Sequence, residues 1–243
     1  MNAPVRAVAA ILENRYGAYP DESGGPVLDQ LVWFLLSTRT TVENCDAAYA
    51  ALRSRYPDWD AAALAAEREG DEVFYAPLRP AGLFRSRARN LVALFAALRD
   101  RFGGATLEAL RDMGDQECER FLLSLPGVGL KVARCVSSFG LGHRSFAVDA
   151  HIWRVSRRLG WHGYDGAAPT RGGADAIQEL VFRDLDAPSA VSLHVNLIRF
   201  GREFCPSGVA DCASCPLAEL CPSAAAPAAG TAGSAGASAE TVR

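Results

Sequence analysis

Lysine is almost missing from this sequence. Of its 25 basic residues, 24 are Arg and one, Lys131, is Lys. Arg serves ion pairs, phosphate contacts and solubility, but its guanidinium stays protonated and forms no Schiff base. A desolvated Lys can lose its proton and attack a carbonyl carbon. The one side-chain amine lies in Leu125-Pro126-Gly127-Val128-Gly129-Leu130-Lys131. A single leftover Lys can fall anywhere by chance, so its neighbours decide whether the placement has meaning.

Other absences narrow the class. There is no run of 18 apolar residues, which excludes a membrane-spanning helix. The early apolar stretch Ala7 to Leu12 is broken by Glu13 and is too short for a secretory signal, so a cytoplasmic protein with no membrane partner is expected. No stretch alternates well enough to read as a strand. The net charge of −3 lacks the basic excess of many nucleic-acid binders, but distribution matters more than the sum. Acidic residues gather in 58–72 and 112–119. Arg gathers at Arg85, Arg87 and Arg89 and at Arg154, Arg157 and Arg158. Such runs also mark ordinary solvated faces.

What is present reads as helix throughout. The chain has 243 residues, 49% of them apolar, enough for one or two packed domains. Apolar residues at helical spacing, interrupted by Gly and Pro, predict helices over 4–16, 27–37, 42–56, 61–68, 70–78, 86–102, 106–113, 115–124, 131–139, 150–159, 172–182 and 187–204. Residues 19–26 read as a linker. From 223 to 243 the sequence is mostly Ala, Gly, Ser, Pro and Thr, and is expected to be a disordered tail.

Four of the seven cysteines lie in one window, Cys205-x6-Cys212-x2-Cys215-x5-Cys221. Cys45, Cys118 and Cys135 sit within helical patterns and read as small core residues. With no secretory signal, a metal site is favoured over disulfides. Structural zinc sites commonly pair two tight knuckles. One Cys-x2-Cys flanked by longer arms suits an iron–sulfur cubane better, and spacing alone leaves both open.

The Leu125 to Gly129 segment joins two predicted helices as a tight hairpin. Gly127 and Gly129 permit unusual backbone geometry, and the amides of Gly127, Val128 and Gly129 at a helix start suit a phosphate. The same sequence also serves as a plain interhelical turn. Lys131 would feel the positive helix end and the apolar hairpin, both of which favour the neutral amine. Further on, Val148-Asp149-Ala150-His151-Ile152-Trp153-Arg154-Val155 places Asp149 at a helix N-cap. A carboxylate there can also assist proton transfer or stabilise positive charge. His151 reads as a packing residue, and Arg154 as able to reach a phosphate or Asp149.

Together, the Leu-Pro-Gly-Val-Gly-x-Lys hairpin, the Val-Asp-x-His-Ile-x-Arg-Val segment and the cysteine window resemble the endonuclease III family of helix-hairpin-helix DNA glycosylases. The resemblance covers about residues 1–222, including Gly82-Leu83-Phe84-x-Ser86-x-Ala88-x-Asn90 and His194 through Arg202. It implies an all-α, two-lobed fold. A six-helix barrel-like domain would span 24–143, and an iron–sulfur cluster domain would comprise 1–23 and 144–222. It implies a structural [4Fe-4S] cluster on Cys205, Cys212, Cys215 and Cys221. It implies a monomer acting on double-stranded DNA with a damaged base, associated with the bacterial nucleoid when bound. Lys131 would attack C1′ of an oxidised pyrimidine nucleotide, with Asp149 assisting, and β-elimination would then nick the strand. Leu83 and Arg39 would enter the gap left by the flipped nucleotide.

The sequence also departs from that family. Arg39 stands where Gln is common and Val42 where Asp is usual; Leu130 replaces a common Arg and Val132 a Thr. The loop Pro206 to Asp211 has no basic residue. These departures keep two other readings open. One is a glycosylase for another base, such as mismatched thymine or uracil. The other is a non-catalytic iron–sulfur DNA-binding protein.

Overall fold

The computed structural model describes residues 2–20 and 24–224. Among the described residues, eleven α-helices run in chain order: α1 (Val5–Tyr16), α2 (Val27–Leu36), α3 (Val42–Arg55), α4 (Trp59–Glu69), α5 (Tyr75–Leu78), α6 (Phe84–Phe102), α7 (Asp115–Ser124), α8 (Leu130–Cys135), α9 (Ala150–Arg158), α10 (Arg171–Asp184) and α11 (Ala187–Glu203). Among the described residues there is no strand, and no helix is long and apolar enough to cross a membrane.

Polar caps set five of the eleven described starts, each satisfying an otherwise orphaned amide. The Thr41 hydroxyl accepts from Asn44 N at 3.3 Å, and the Asp58 carboxylate from Ala61 N at 2.7 Å. Asp58 explains why α4 begins at Trp59 rather than at Ala61. Thr170 and Asp186 cap α10 and α11 in the same way.

Three expected helices take other forms. The 70–78 span is a 3₁₀ turn (Asp71–Phe74) followed by the short α5, and the 106–113 span is only the 3₁₀ turn Glu108–Asp112. The helix predicted over 131–139 leaves α geometry at Cys135 and continues as a π-helix over Val136–Gly140. Ser138 accounts for this locally: its hydroxyl donates to Arg134 O at 2.8 Å and lies 3.3 Å from Cys135 O, competing for the helix's own acceptors. At the C-terminal side, Ser223 donates its hydroxyl to Arg158 O at 2.9 Å and Ala224 N donates to Cys221 O at 3.0 Å. These first two residues of the expected tail therefore belong to the folded body. Residues 225–243 lie outside the described residues, as do Met1 and residues 21–23.

Buried apolar side chains form two clusters. One runs from Val27 to Val136 across α2 to α8, with Phe74 and Phe95 among its largest members. The other joins α1 (Val5, Val8, Leu12) to Phe146, Trp153, Ile177, Leu197 and Leu217. The chain is thus two helical lobes, the second assembled from both ends of the described sequence. Within the second, α10 passes very close to α9: a Cβ at Gly173 would stand 2.4 Å from the Trp153 ring. The buried Arg134 pairs with Glu119 of its own lobe at 2.8 Å and, across the lobes, with Asp175, while Arg171 reaches back to Glu119 at 3.1 Å.

Candidate functional site

The hairpin between α7 and α8 is built from unequal residues. Gly127 has φ +77°, a conformation glycine adopts without strain, and the Asn90 side chain of α6 leaves no room for a Cβ. Gly129, in contrast, is extended (φ −97°, ψ 171°), and a Cβ there would meet nothing within 4 Å. Neither strain nor packing requires glycine at 129. Its missing side chain leaves the start of α8 open to a ligand, with the first helical amides facing outward without intrahelical acceptors. Val128 departs from the phosphate-gripping role expected of it. Its side chain is buried and its amide donates to Leu125 O at 3.2 Å, so it anchors the turn.

Lys131, in the first turn of α8, holds its Nζ 5.4 Å from the ring centre of Phe34 on α2. Asp149 caps α9 from the other lobe; its Oδ1 accepts from Ile152 N at 2.8 Å, and Phe146, Ala147 and Val148 before it are buried. Two buried groups register both charges. The Cys135 thiol is raised by burial, eased by the Lys131 ammonium and raised further by Asp149. His194 on α11 is pushed down to about 4, chiefly by burial, with Asp149 acting upward and Lys131 downward. An amine from one lobe and a carboxylate from the other therefore both act on the same two buried groups. His194 is held neutral there, its Nδ1 at 3.0 Å from Ala147 O and its ring between Phe139 and Phe146. His151 is the packing residue expected: burial lowers its pKa, and its Nδ1 accepts from Arg154 at 3.1 Å.

Two loops, before α3 and before α6, carry Arg39 and Leu83. These are the only non-glycine residues with positive φ among the described residues, at +56° and +49°, and both side chains are exposed, Leu83 by 61%. A bulky side chain in this region costs on the order of 1–3 kcal/mol and persists only where surroundings impose it. The residue before each, Thr38 and Gly82, gives its carbonyl to Arg87, which the sequence offered only as part of a charged run. Val42 begins α3 and is 45% exposed.

Arg154 does not do what the sequence suggested. Its guanidinium donates to Cys205 O at 2.9 Å, to Gly201 O at 3.0 Å and to His151, and among the described residues no ion pair joins it to Asp149. It is committed to holding the cysteine segment. Arg158, which the sequence also left in a charge run, donates to Cys205 Sγ at 3.0 Å and to Pro206 O at 2.8 Å.

Cys205, Cys212, Cys215 and Cys221 are free thiols lining one cavity of about 150 Å³, walled by Phe200, Phe204 and Leu217. Burial raises Cys215, and the other three sulfurs raise it further. Among the described residues no three His, Cys, Asp or Glu side chains are drawn tightly enough to ligate one metal ion. Thiols spaced round a cavity, with a guanidinium N–H on one sulfur, suit a group larger than a single ion. The one acid of the 206–211 loop, Asp211, accepts from Ser214 and so caps a local turn.

A helical hairpin opening on a lone amine, faced across two lobes by a capping carboxylate, defines a class of DNA-repair fold. The chain belongs to the HhH-GPD superfamily of base excision DNA repair proteins, whose family model matches residues 32–172. Within that class its relatives include endonuclease III of Treponema pallidum, 31% identical over 89% of this chain and 95% of that protein. Endonuclease III of Thermotoga maritima is 30% identical over 79% and 80% respectively. A putative DNA glycosylase of Arabidopsis thaliana is 34% identical over 56% of this chain, which spans only 45% of the plant protein. The fold matches an endonuclease III in a non-covalent complex with DNA at TM-score 0.72 and 26% identity, covering 90% of this chain and 94% of that one.

Proposed function

We propose that this endonuclease III-like DNA glycosylase/AP lyase excises oxidised pyrimidines from double-stranded DNA, acting as a monomer. The observation that carries this reading is the convergence of Lys131 and Asp149, each brought by a different lobe, on the buried Cys135 and His194. The Lys131 amine, once it has given up its proton, attacks C1′ of the flipped nucleotide. The glycosidic bond breaks, its electron pair leaves with the base, and the sugar ring opens to an iminium on Nζ. Loss of a C2′ proton then expels the 3′ phosphate oxygen by β-elimination, and water releases the sugar remnant from Lys131. Asp149 stabilises the positive charge that develops at C1′ and takes part in proton transfer. The open Gly129 turn and the first amides of α8 receive a phosphate beside the lesion. Gly127 shapes the turn, while Arg39 and Leu83 fill the vacated space.

Cys205, Cys212, Cys215 and Cys221 would hold a [4Fe-4S] cluster. When bound, it supplies a four-point cross-link that fixes the 205–221 segment. Arg154 and Arg158 support that segment from α9.

Borohydride trapping tests the reading. The wild-type protein is expected to crosslink to duplexes carrying an abasic site or thymine glycol, and Lys131→Gln to give no adduct. No wild-type adduct, or one that survives Lys131→Gln, would overturn it. Arg39 favours a second reading, excision of a mismatched thymine or uracil, because a cation in a strained, exposed loop offers different hydrogen bonds to the opposite strand. Release of free base across a panel of lesions separates the two.

A further inference from the structure

Arg87 lies on α6, yet its guanidinium makes no contact characteristic of a surface charge. It is 7% exposed and, among the described residues, forms no ion pair with a carboxylate. Its five hydrogen bonds go to two segments, the end of α2 with the turn after it and the turn before α6. Nη1 donates to Leu35 O at 2.7 Å and Thr38 Oγ1 at 3.4 Å, and Nη2 to Thr38 O at 2.7 Å. Nε donates to Gly82 O at 2.8 Å, and Nη2 also to Ala81 O at 3.3 Å. The first segment leads directly into Arg39 and the second into Leu83.

An unpaired buried cation is costly, so its presence needs a counterpart. Here four backbone carbonyls with no helical donor supply it, in the fork geometry that only a guanidinium matches. One rigid plane thus joins the ends of two segments that are separated by more than forty residues and both forced to positive φ.

We infer that Arg87 is a positioning residue. It locks the Arg39 and Leu83 loops into one unit, so both side chains enter the DNA gap together when the damaged nucleotide leaves the stack. The inference rests on the function proposed above, but concerns strand opening rather than bond cleavage. An abasic site in single-stranded DNA has no base to flip and no partner base to fill against, so its cleavage by Lys131 requires neither loop.

The test uses the full-length protein with Arg87→Met and Arg87→Lys. Two reactions are compared: base excision from a thymine-glycol duplex and nicking of a single-stranded abasic oligonucleotide. The single-strand rate reports the folded, chemically competent fraction. Misplacing both loops is expected to lower duplex excision by about 100-fold in Arg87→Met while single-strand nicking stays within about threefold. Arg87→Lys, which keeps the charge but loses the fork, is expected to fall between. The fluorescence rise of 2-aminopurine opposite the lesion, reporting gap formation, is expected to shrink in the same order. A parallel fall of both reactions, or an unchanged 2-aminopurine signal, would overturn the inference and leave Arg87 a folding residue. Failure of the wild type to nick either substrate would instead overturn the proposed function.

Discussion

Two irregular segments stand out from the helices, and they are secured in opposite ways. The Arg39 and Leu83 loops depend on one side chain, since Arg87 alone gathers the carbonyls of Leu35, Thr38, Ala81 and Gly82. The Cys205–Cys221 segment has many anchors. Arg154 takes the Cys205 and Gly201 carbonyls, Arg158 takes Pro206 O and the Cys205 sulfur, and Asp211 and Ser223 close turns of their own. In both places Arg does what no other side chain can, satisfying several backbone acceptors from one planar group. The difference lies in redundancy. The loops proposed to enter the DNA gap depend on a single residue, whereas the cysteine segment is held from several sides.

This contrast predicts that damage in the cluster lobe appears as lost stability, and damage at Arg87 as lost duplex preference. The largest effect is expected from the thiols. Cys215→Ser removes one of the four thiols lining the cavity and, with the proposed cluster lost, should yield protein without iron–sulfur absorbance and with a thermal melt lowered by more than about 10 °C. An unchanged melt without absorbance would mean the protein anchors suffice alone.

Acidification comes next. His194 has its pKa pushed down to about 4 by burial, so between the ordinary histidine value and about 4 the unfolded chain binds a proton that the folded chain refuses. Stability from this site is fully present above pH 6.5 and is lost as pH falls towards 4. The loss is on the order of 3 kcal/mol in total. Urea unfolding from pH 7 to 4.5 should show it, and His194→Gln should flatten the slope.

Gly173→Ala follows. The added methyl would meet the Trp153 ring at 2.4 Å and force α9 and α10 apart, costing about 1–3 kcal/mol. A thermal melt lowered by roughly 2–4 °C per kcal/mol is expected, with the ratio of duplex to single-strand activity preserved. Arg154→Met should have the smallest effect, leaving two carbonyls without donors at a cost of about 1–3 kcal/mol, partly shared by Arg158. Faster loss of cluster absorbance with an unchanged activity ratio would sharpen the contrast with Arg87. A changed ratio would break it.

Much of the chemistry was legible because it lies in contiguous strings. Lys131, the hairpin glycines and the Asp149 cap each announce themselves within a few residues, and helical periodicity located every long helix. The other functional side chains act over distance. Arg87 bonds carbonyls 49 and 52 residues away, and Arg154 one that is 51 away, so no local pattern distinguishes them from solvated charges. The two hairpin glycines also look alike in sequence, yet Gly127 is required by φ and by Asn90, and Gly129 by neither. The π-helix after Cys135 turned on a single hydroxyl, Ser138, whose preference for a carbonyl over water is set by burial.

The central claim, that Lys131 is the nucleophile, has an unusually direct test because the chain offers only one lysine. Wild-type protein trapped with borohydride on abasic DNA can be digested and its modified peptide sequenced by mass spectrometry. The predicted result is a reduced sugar adduct on Lys131. An adduct on the N-terminal amine with Lys131 unmodified would contradict it.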